Sequence, residues 1–438
     1  MVGIRTSAAV ALTAALALTA SACSSSSGNG KNNGSSGSST AAAGPAKLTW
    51  WHNGTTDPVK SLWQQAANAY HSAHPNVTFT VDPIQNEQFT TKVPAALAGG
   101  NPPDIFQQWG GGQLTSQVSS GKLMDLTSAT SSWISELGAT AQGWQFDGKQ
   151  YGVPYDLHVV GFWYRKDLFA QAGITAAPAT MDELNADVVK LKARNISPIG
   201  IGSKDRWPDA FYWDYFAVRE CSTDVLKQAS KDLKLDDPCW TKAGTDLKTF
   251  LNTNPFQTGF LGTPAQQGVG SSAGLVASGK AAMELQGDWE LPTMEGLLPK
   301  GNFTSQLGWF PFPAVTGGAG DPAVALGGGD GFSCTTNATS ACPDFLKYLA
   351  SPAVQDTIAS KGIALPANPA SAAKLTDPNL QTVSAYAAKA PYIQMYFDIA
   401  FPTNVGQSLD SAVADFFAGK GTPQTIVQSV TNAGSGGK

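Results

Sequence analysis

The spacing of apolar and polar positions changes several times along the chain, and each change marks an element. LTWW (Leu48–Trp51) reads as a first strand. Val59, Leu62, Trp63, Ala66, Ala67 and Tyr70 then recur at helical spacing and predict a helix from Pro58 to His71, stopped by His74-Pro75. VTFTVDP (Val77–Pro83) alternates and predicts a second strand. Gln88 to Leu97 predicts a helix ended by Gly99-Gly100, and PPDIFQQWGGG (Pro103–Gly112) a short strand running into glycines. Further on, Tyr151–Ile174 starts extended and turns helical near Lys166, and Asp182–Arg194 is an amphipathic helix. Ser197–Gly202 is a strand and Asp209–Val218 a very aromatic helix. Lys280–Leu285, Leu307–Phe312 and Ala323–Leu326 are strands, and the chain from Asp344 onward is mainly helical.

The opening β-α-β-α-β order implies an α/β fold with a parallel sheet and crossover helices. Such sheets bind ligands beyond the carboxyl ends of their strands. Trp51–Gly54 and Gln107–Gly112 fall at two such ends. Adjacent residues on a strand point to opposite faces, so Trp50 and Trp51 cannot enter the same core. Trp50 is expected in the core and Trp51 at the ligand end, although a shift of one register step would exchange them.

The N-terminus has a different character. Arg5 precedes a short apolar run, Ala8–Ala20, and then Ser21, Ala22 and Cys23. This reads as a secretion signal (residues 1–22) rather than a membrane span. The cysteine after small residues resembles a bacterial lipoprotein signal, which implies a lipid on Cys23. Ala20 departs from that pattern, since leucine is commonest there. Residues 23–44 are mostly Ser, Gly and Asn and cannot build a core, which suits a flexible tether. The other cysteines, Cys221, Cys239, Cys334 and Cys342, suit an exported protein. Three pairings are open; nearness in sequence favours Cys221–Cys239 and Cys334–Cys342. A net charge of -5 without a basic run argues against nucleic acid as a partner.

Seven features in order resemble the extracellular solute-binding proteins of ABC importers, the family that includes the maltose-binding proteins. Besides the signal and tether they are WWHNG, ALAGGNPPDIFQQW, YGVPYDLHVVGFWYRKDLFAQAGI, GKAAMELQGDWE, the FPFP segment, GGGDGFS and SPAVQDTIASKGIALPANPA. The resemblance implies two α/β lobes with parallel-rich sheets and a ligand cleft between them. It implies crossings near Pro154–His158, near Trp309–Pro313 and after Lys361. Residues 45–156 and 311–361 would then form one lobe, and 157–310 and 362–438 the other. It also implies a monomer without cofactor, held at the outer face of the cell membrane by its lipid and delivering a sugar to the permease subunits of an importer.

Some segments imitate catalytic motifs. Gly270–Gly274 fits the G-x-S-x-G nucleophile pattern, but TPAQQG precedes it where a hydrophobic strand is needed. Gly274–Lys280 nearly fits a phosphate loop, but Ala281 stands where Ser or Thr must hold magnesium. No cysteine cluster has zinc spacing, and no metal is expected.

A neutral sugar presents C–H faces to aromatic rings and hydroxyls to amides and carboxylates. Mixtures of this kind stand at Trp51, His52 and Asn53; at Gln108 and Trp109; and at Arg206 and Trp207. The resemblance adds Asp156 and His158 on a crossing, Asp288 with Trp289, Asp330, and the stretch Met395–Phe397, from which Phe397 is taken. In the sugar-binding branch an aromatic at the Trp289 position stacks on a ring. Tyr155 reads as lobe packing. The expected function is capture of a sugar by lobe closure, an oligosaccharide given the several aromatics. The alternatives are a secreted glycoside hydrolase, or the same fold with a non-sugar ligand.

Overall fold

The computed structural model describes residues 45–299 and 303–436. The signal, the tether and Cys23 lie outside the described residues.

The first strand, β1 (Ala46–His52), alternates as its sequence requires. Leu48, Trp50 and His52 are buried on one face, while Lys47, Thr49 and Trp51 point to the other. The helix α1 (Val59–Ala73) covers the first face with Leu62, Trp63, Ala66, Ala67 and Tyr70, the same residues that recur at helical spacing in the sequence. Trp50 sits among Trp63, Phe332 and Phe345 at centroid distances of 5.6, 5.1 and 5.1 Å. β1 pairs in parallel with β2 (Val77–Pro83) and β3 (Ile105–Gln108). Strand Gly331–Cys334 adds antiparallel to β3, and Val153–Pro154 completes a five-stranded sheet.

A second sheet has the order Leu307–Phe310, Gly161–Arg165, Ala281–Gln286, Ser197–Ile199. Its main helix, Trp207–Glu220, is buried from Pro208 to Glu220. That explains the aromatic richness of the segment: the helix is the centre of the second lobe. Cys221–Cys239 staples its end to the helix Pro238–Leu251, and Cys334–Cys342 closes a loop in the first lobe.

Between the two sheets lies a third, with the order Leu365–Pro366, Asp156–Val159, Ala325–Gly328, Ile393–Met395. Asp156–Val159, Ala325–Gly328 and Leu365–Pro366 carry the chain between the lobes, and Ile393–Met395 pairs beside Ala325–Gly328. The second crossing therefore runs through Ala325–Gly328 and not through Trp309–Pro313. Residues 311–324 pack with the second lobe, where the expected boundary assigned them to the first. Phe312 stacks on Tyr215 at 4.5 Å. The buried Arg219 donates from Nη2 to the Phe312 carbonyl, from Nε to that of Pro313 and from Nη1 to that of Val324. An FPFP motif carries no sign of where its aromatic rings will be buried, so the sequence could not place this boundary.

Among the described residues, no helix is long and apolar enough to cross a membrane.

Candidate functional site

A cavity of about 880 Å³ opens between the lobes. That is near the upper end of small-ligand pockets, about 300–1,000 Å³. Strand ends and crossings supply its walls, because backbone leaving a sheet is where side chains are released from packing.

The second lobe contributes an aromatic wall. Gly287 ends the strand Ala281–Gln286 and lets Trp289 fold back; a Cβ at Gly287 would lie 2.2 Å from the indole. Trp289 then starts the helix Glu290–Leu297 with its ring on the cavity. Trp207 and Tyr396 lie 6.3 Å from it and Phe211 6.2 Å, all lining the same space. The indole N–H groups of Trp207 and Trp289 have no protein partner. Arg206, at φ +70°, turns the chain into its helix and donates from Nη1 to Ser411 Oγ at 3.1 Å. From the first lobe come Asn53, Asn86 and Trp109. Asn53 Nδ2 donates to Asn86 Oδ1, and its backbone N–H donates to Gln107 Oε1.

At the floor stands His158. Its Nδ1 lies 3.0 Å from Asp288 Oδ1, and its Nε2 lies 3.2 Å from Asp156 Oδ2 and 3.5 Å from Asp330 Oδ2. Asp288 also accepts from the backbone N–H of Val159 and of Leu365, while Tyr155 Oη donates to Asp330. Burial disfavours the imidazolium, but the carboxylates of Asp156 and Asp288 outweigh it and hold the His158 pKa well above its ordinary value. Burial pushes Asp156 up to about 7, against the pull of His158. Asp156, His158 and Asp330 bring one ligand atom each within 4.8 Å of one another, the set that could hold an ion. A protonated His158 fills that role itself, as a cation among three carboxylates.

Several expected residues lie elsewhere. Trp51 faces away from the cavity, packed with Phe89, Val93, Phe106 and Trp144 beneath Lys92, whose Nζ is 4.1 Å from its ring centroid. His52 is not on a rim. β1 continues through it, so it shares Trp50's face, fully buried 5.4 Å from that ring, and burial followed by the charge of Lys60 lowers its pKa to about 3. Gln108 is buried; its Nε2 donates to Gln117 Oε1, and its Oε1 accepts from the Gly110 N–H. Asp288 is buried behind His158 and orients it. Phe397 is core, 5.4 Å from Trp240, and its neighbour Tyr396 takes the cavity position. Asn53, Trp109, Asp156, His158, Arg206, Trp207, Trp289 and Asp330 do line the cavity. Tyr155 packs on Phe332 as expected and also reaches the cavity.

Sequence reasoning missed the acidic character. Six carboxylates line the cavity, on Glu87, Asp156, Asp205, Asp330, Asp398 and Asp410, against Lys204, Arg206 and His158. Asp398 directly follows the aromatic pair that drew attention, so its place was the one signal available.

The segment fitting the nucleophile pattern forms the helix Ser272–Ala277. Its central serine, Ser272, is buried and donates to the Ala265 carbonyl, with no strand before it.

A family model for bacterial extracellular solute-binding proteins matches residues 53–356. An uncharacterized ABC transporter extracellular-binding protein of Pyrococcus horikoshii is 24% identical over 270 residues, 58% of this chain and 59% of that protein. The chain spans about half the length of the curated relatives it matches. A structure from work on xylan utilization by the thermophilic bacterium Caldanaerobius polysaccharolyticus superposes with a TM-score of 0.81 at 26% identity, covering 88% of this chain and 99% of that one. A chitin oligosaccharide binding protein gives 0.79 at 25% identity, covering 89% and 98%.

Proposed function

Since the chain belongs to the bacterial extracellular solute-binding protein family, we propose that it captures an oligosaccharide and delivers it to the permease of an ABC importer. The observation that carries this reading is the wall of Trp207, Phe211, Trp289 and Tyr396 facing amides and carboxylates across an inter-lobe cavity. Aromatic faces cover the C–H faces of sugar rings, and the polar rim takes up hydroxyls. The volume has room for more than one ring.

The mechanism is lobe closure. Ligand that touches both lobes favours the closed form over the open one by its differential contacts. Glu87 Oε2, on α2 (Asn86–Gly99) of the first lobe, accepts from Gln267 Nε2 of the second at 2.7 Å, one of the contacts that closure makes. In this reading no bond of the sugar is broken: His158 is tied to Asp156, Asp288 and Asp330, and the buried Ser272 donates to the Ala265 carbonyl. The protein works as a monomer, anchored through a lipid on Cys23 to the outer face of the membrane, with residues 23–44 as its tether.

Calorimetry against mono- and oligosaccharides, peptides and polyamines tests the reading. Micromolar or tighter binding of an oligosaccharide, recovered unchanged by chromatography, is expected. Binding of peptides alone sinks the sugar assignment, and shortened products would favour the glycosidase. Mass spectrometry of the protein purified from membranes, with and without Cys23→Ser, checks the anchor.

A further inference from the structure

One end of the cavity is built differently from the rest. Asp398 and Asp410 both line it, and the Oδ1 atom of each is out of contact with solvent and without a hydrogen-bond partner. The two come from different elements, the short turn Phe397–Ala400 and the helix Thr403–Phe417. A third element independently presents the same need. Asp214, on the helix Trp207–Glu220, is 0% exposed. Its Oδ2 accepts from the backbone N–H of Phe397, next to Asp398, and its Oδ1 has no partner. Asp209, five residues earlier on the same helix, is equally buried; Ser203 donates to its Oδ1 and its Oδ2 has none.

Burying carboxylates together without cations is costly, and each unpartnered oxygen forfeits its hydration. Burial, then the charge of Asp398, pushes Asp214 well above the ordinary carboxylate range. Burial also raises Asp410, with Asp398, Asp214 and Asp209 adding to it, and Arg206 is the cation that opposes this. The Arg206 Nη1 is already engaged by Ser411. A second cation delivered from the cavity would supply N–H donors to Asp398 and Asp410, which line it, and would relieve by its charge the repulsion from Asp209 and Asp214 behind them.

We infer that this end of the cleft binds an amino group, and that the ligand is an amino sugar or an oligosaccharide containing one, its ammonium held between Asp398 and Asp410. The inference rests on the sugar reading above and names the class of sugar. The aromatic wall recognises the ring and the acid pair recognises its nitrogen. Trp207 and Trp289 bind either a neutral or an amino sugar; the acid pair distinguishes them.

The test is calorimetry of the purified protein with α- and β-linked gluco-, galacto-, manno- and xylo-oligosaccharides, the corresponding amino-sugar oligomers, and their N-acetylated forms. The preferred amino sugar should bind at least tenfold more tightly than its hydroxyl or N-acetyl counterpart. Binding should release protons from Asp398, Asp410, Asp214 and Asp209, seen as a heat that changes with the ionisation enthalpy of the buffer. Asp398→Asn and Asp410→Asn should each weaken the amino sugar at least tenfold more than its hydroxyl counterpart, so that most of the preference is lost. Thermal unfolding of each variant checks that it is folded, and two variants on separate elements guard against loss of one. Sugars bound without preference for the amine, or a preference untouched in both folded variants, overturn the inference and leave the sugar reading standing. If no carbohydrate binds, both fall; if a free polyamine binds and no sugar does, the acid pair is a cation site without the sugar specificity inferred here, and both again fall.

Discussion

Two neighbouring tryptophans have different surroundings for a reason that lies in one register. Trp50 is enclosed by aromatic rings, and Trp51 lies on the other face of the sheet under Lys92, away from the cavity. Trp51→Ala should therefore lower stability by about 1–2 kcal/mol through lost burial and cation–π contact, and leave sugar affinity within twofold. A denaturant melt and a calorimetric titration check the two halves. Trp289→Ala should do the reverse. It removes the centre of the aromatic wall and should weaken sugar binding at least tenfold, about 1.4 kcal/mol, in a protein that still folds. Unchanged affinity would remove Trp289 from the site.

At the scale of elements, the three crossings meet at one carboxylate. Asp288 accepts from Val159 on the first crossing and from Leu365 on the third, and holds His158, which reaches Asp330 beyond the second. Asp288→Asn should loosen this floor and weaken ligand binding, read as a faster release rate in stopped-flow fluorescence. The disulfide Cys221–Cys239, with a separation of 18 residues, lies at the far end of the helix Trp207–Glu220 from Arg206. Replacing both cysteines by serine should cost about 3 kcal/mol in the chain-entropy model, with sugar affinity preserved. The element order was legible because long periodic stripes such as Val59–Tyr70 have one solution. The second crossing was not, because Leu307–Phe310 and Ala325–Gly328 both read as short strands and the sheet that receives each is set by tertiary packing.

Over the whole molecule, burial of acids sets a pH dependence. Burial pushes Asp209 and Glu284 up to about 8 and Asp398 up to about 7. In the unfolded chain such carboxyls titrate near about 4. The folded state thus binds more protons than the unfolded one between these values, and stability falls as pH rises through the window. The raised pKa of His158 acts in the same direction, since its contribution is full below the unfolded value and fades as pH climbs through the folded one; His52, lowered to about 3, opposes it below the ordinary histidine value, one group against the several raised acids. The thermal midpoint should be higher at about pH 5 than at about pH 8, and Asp209→Asn should flatten the slope. A midpoint that rises with pH would contradict this account of the buried acids. Ligand should also compact the molecule, which small-angle scattering can follow.

From the sequence alone came the α/β class, the favoured cysteine pairs and the strand ends at which a ligand could sit. These depend on short-range spacing, and spacing survives in one dimension. The direction of individual side chains was decided by tertiary structure. His52 and Gln108 stand at strand ends yet turn inward, because pleat and register assign their faces. The acid cluster joins Asp209 and Asp214 to Asp398 and Asp410, residues nearly two hundred positions apart, and only the packing of their helices makes them neighbours. Charge counts along the chain show no such excess, since repulsion depends on distance in space and sequence records only distance along the chain.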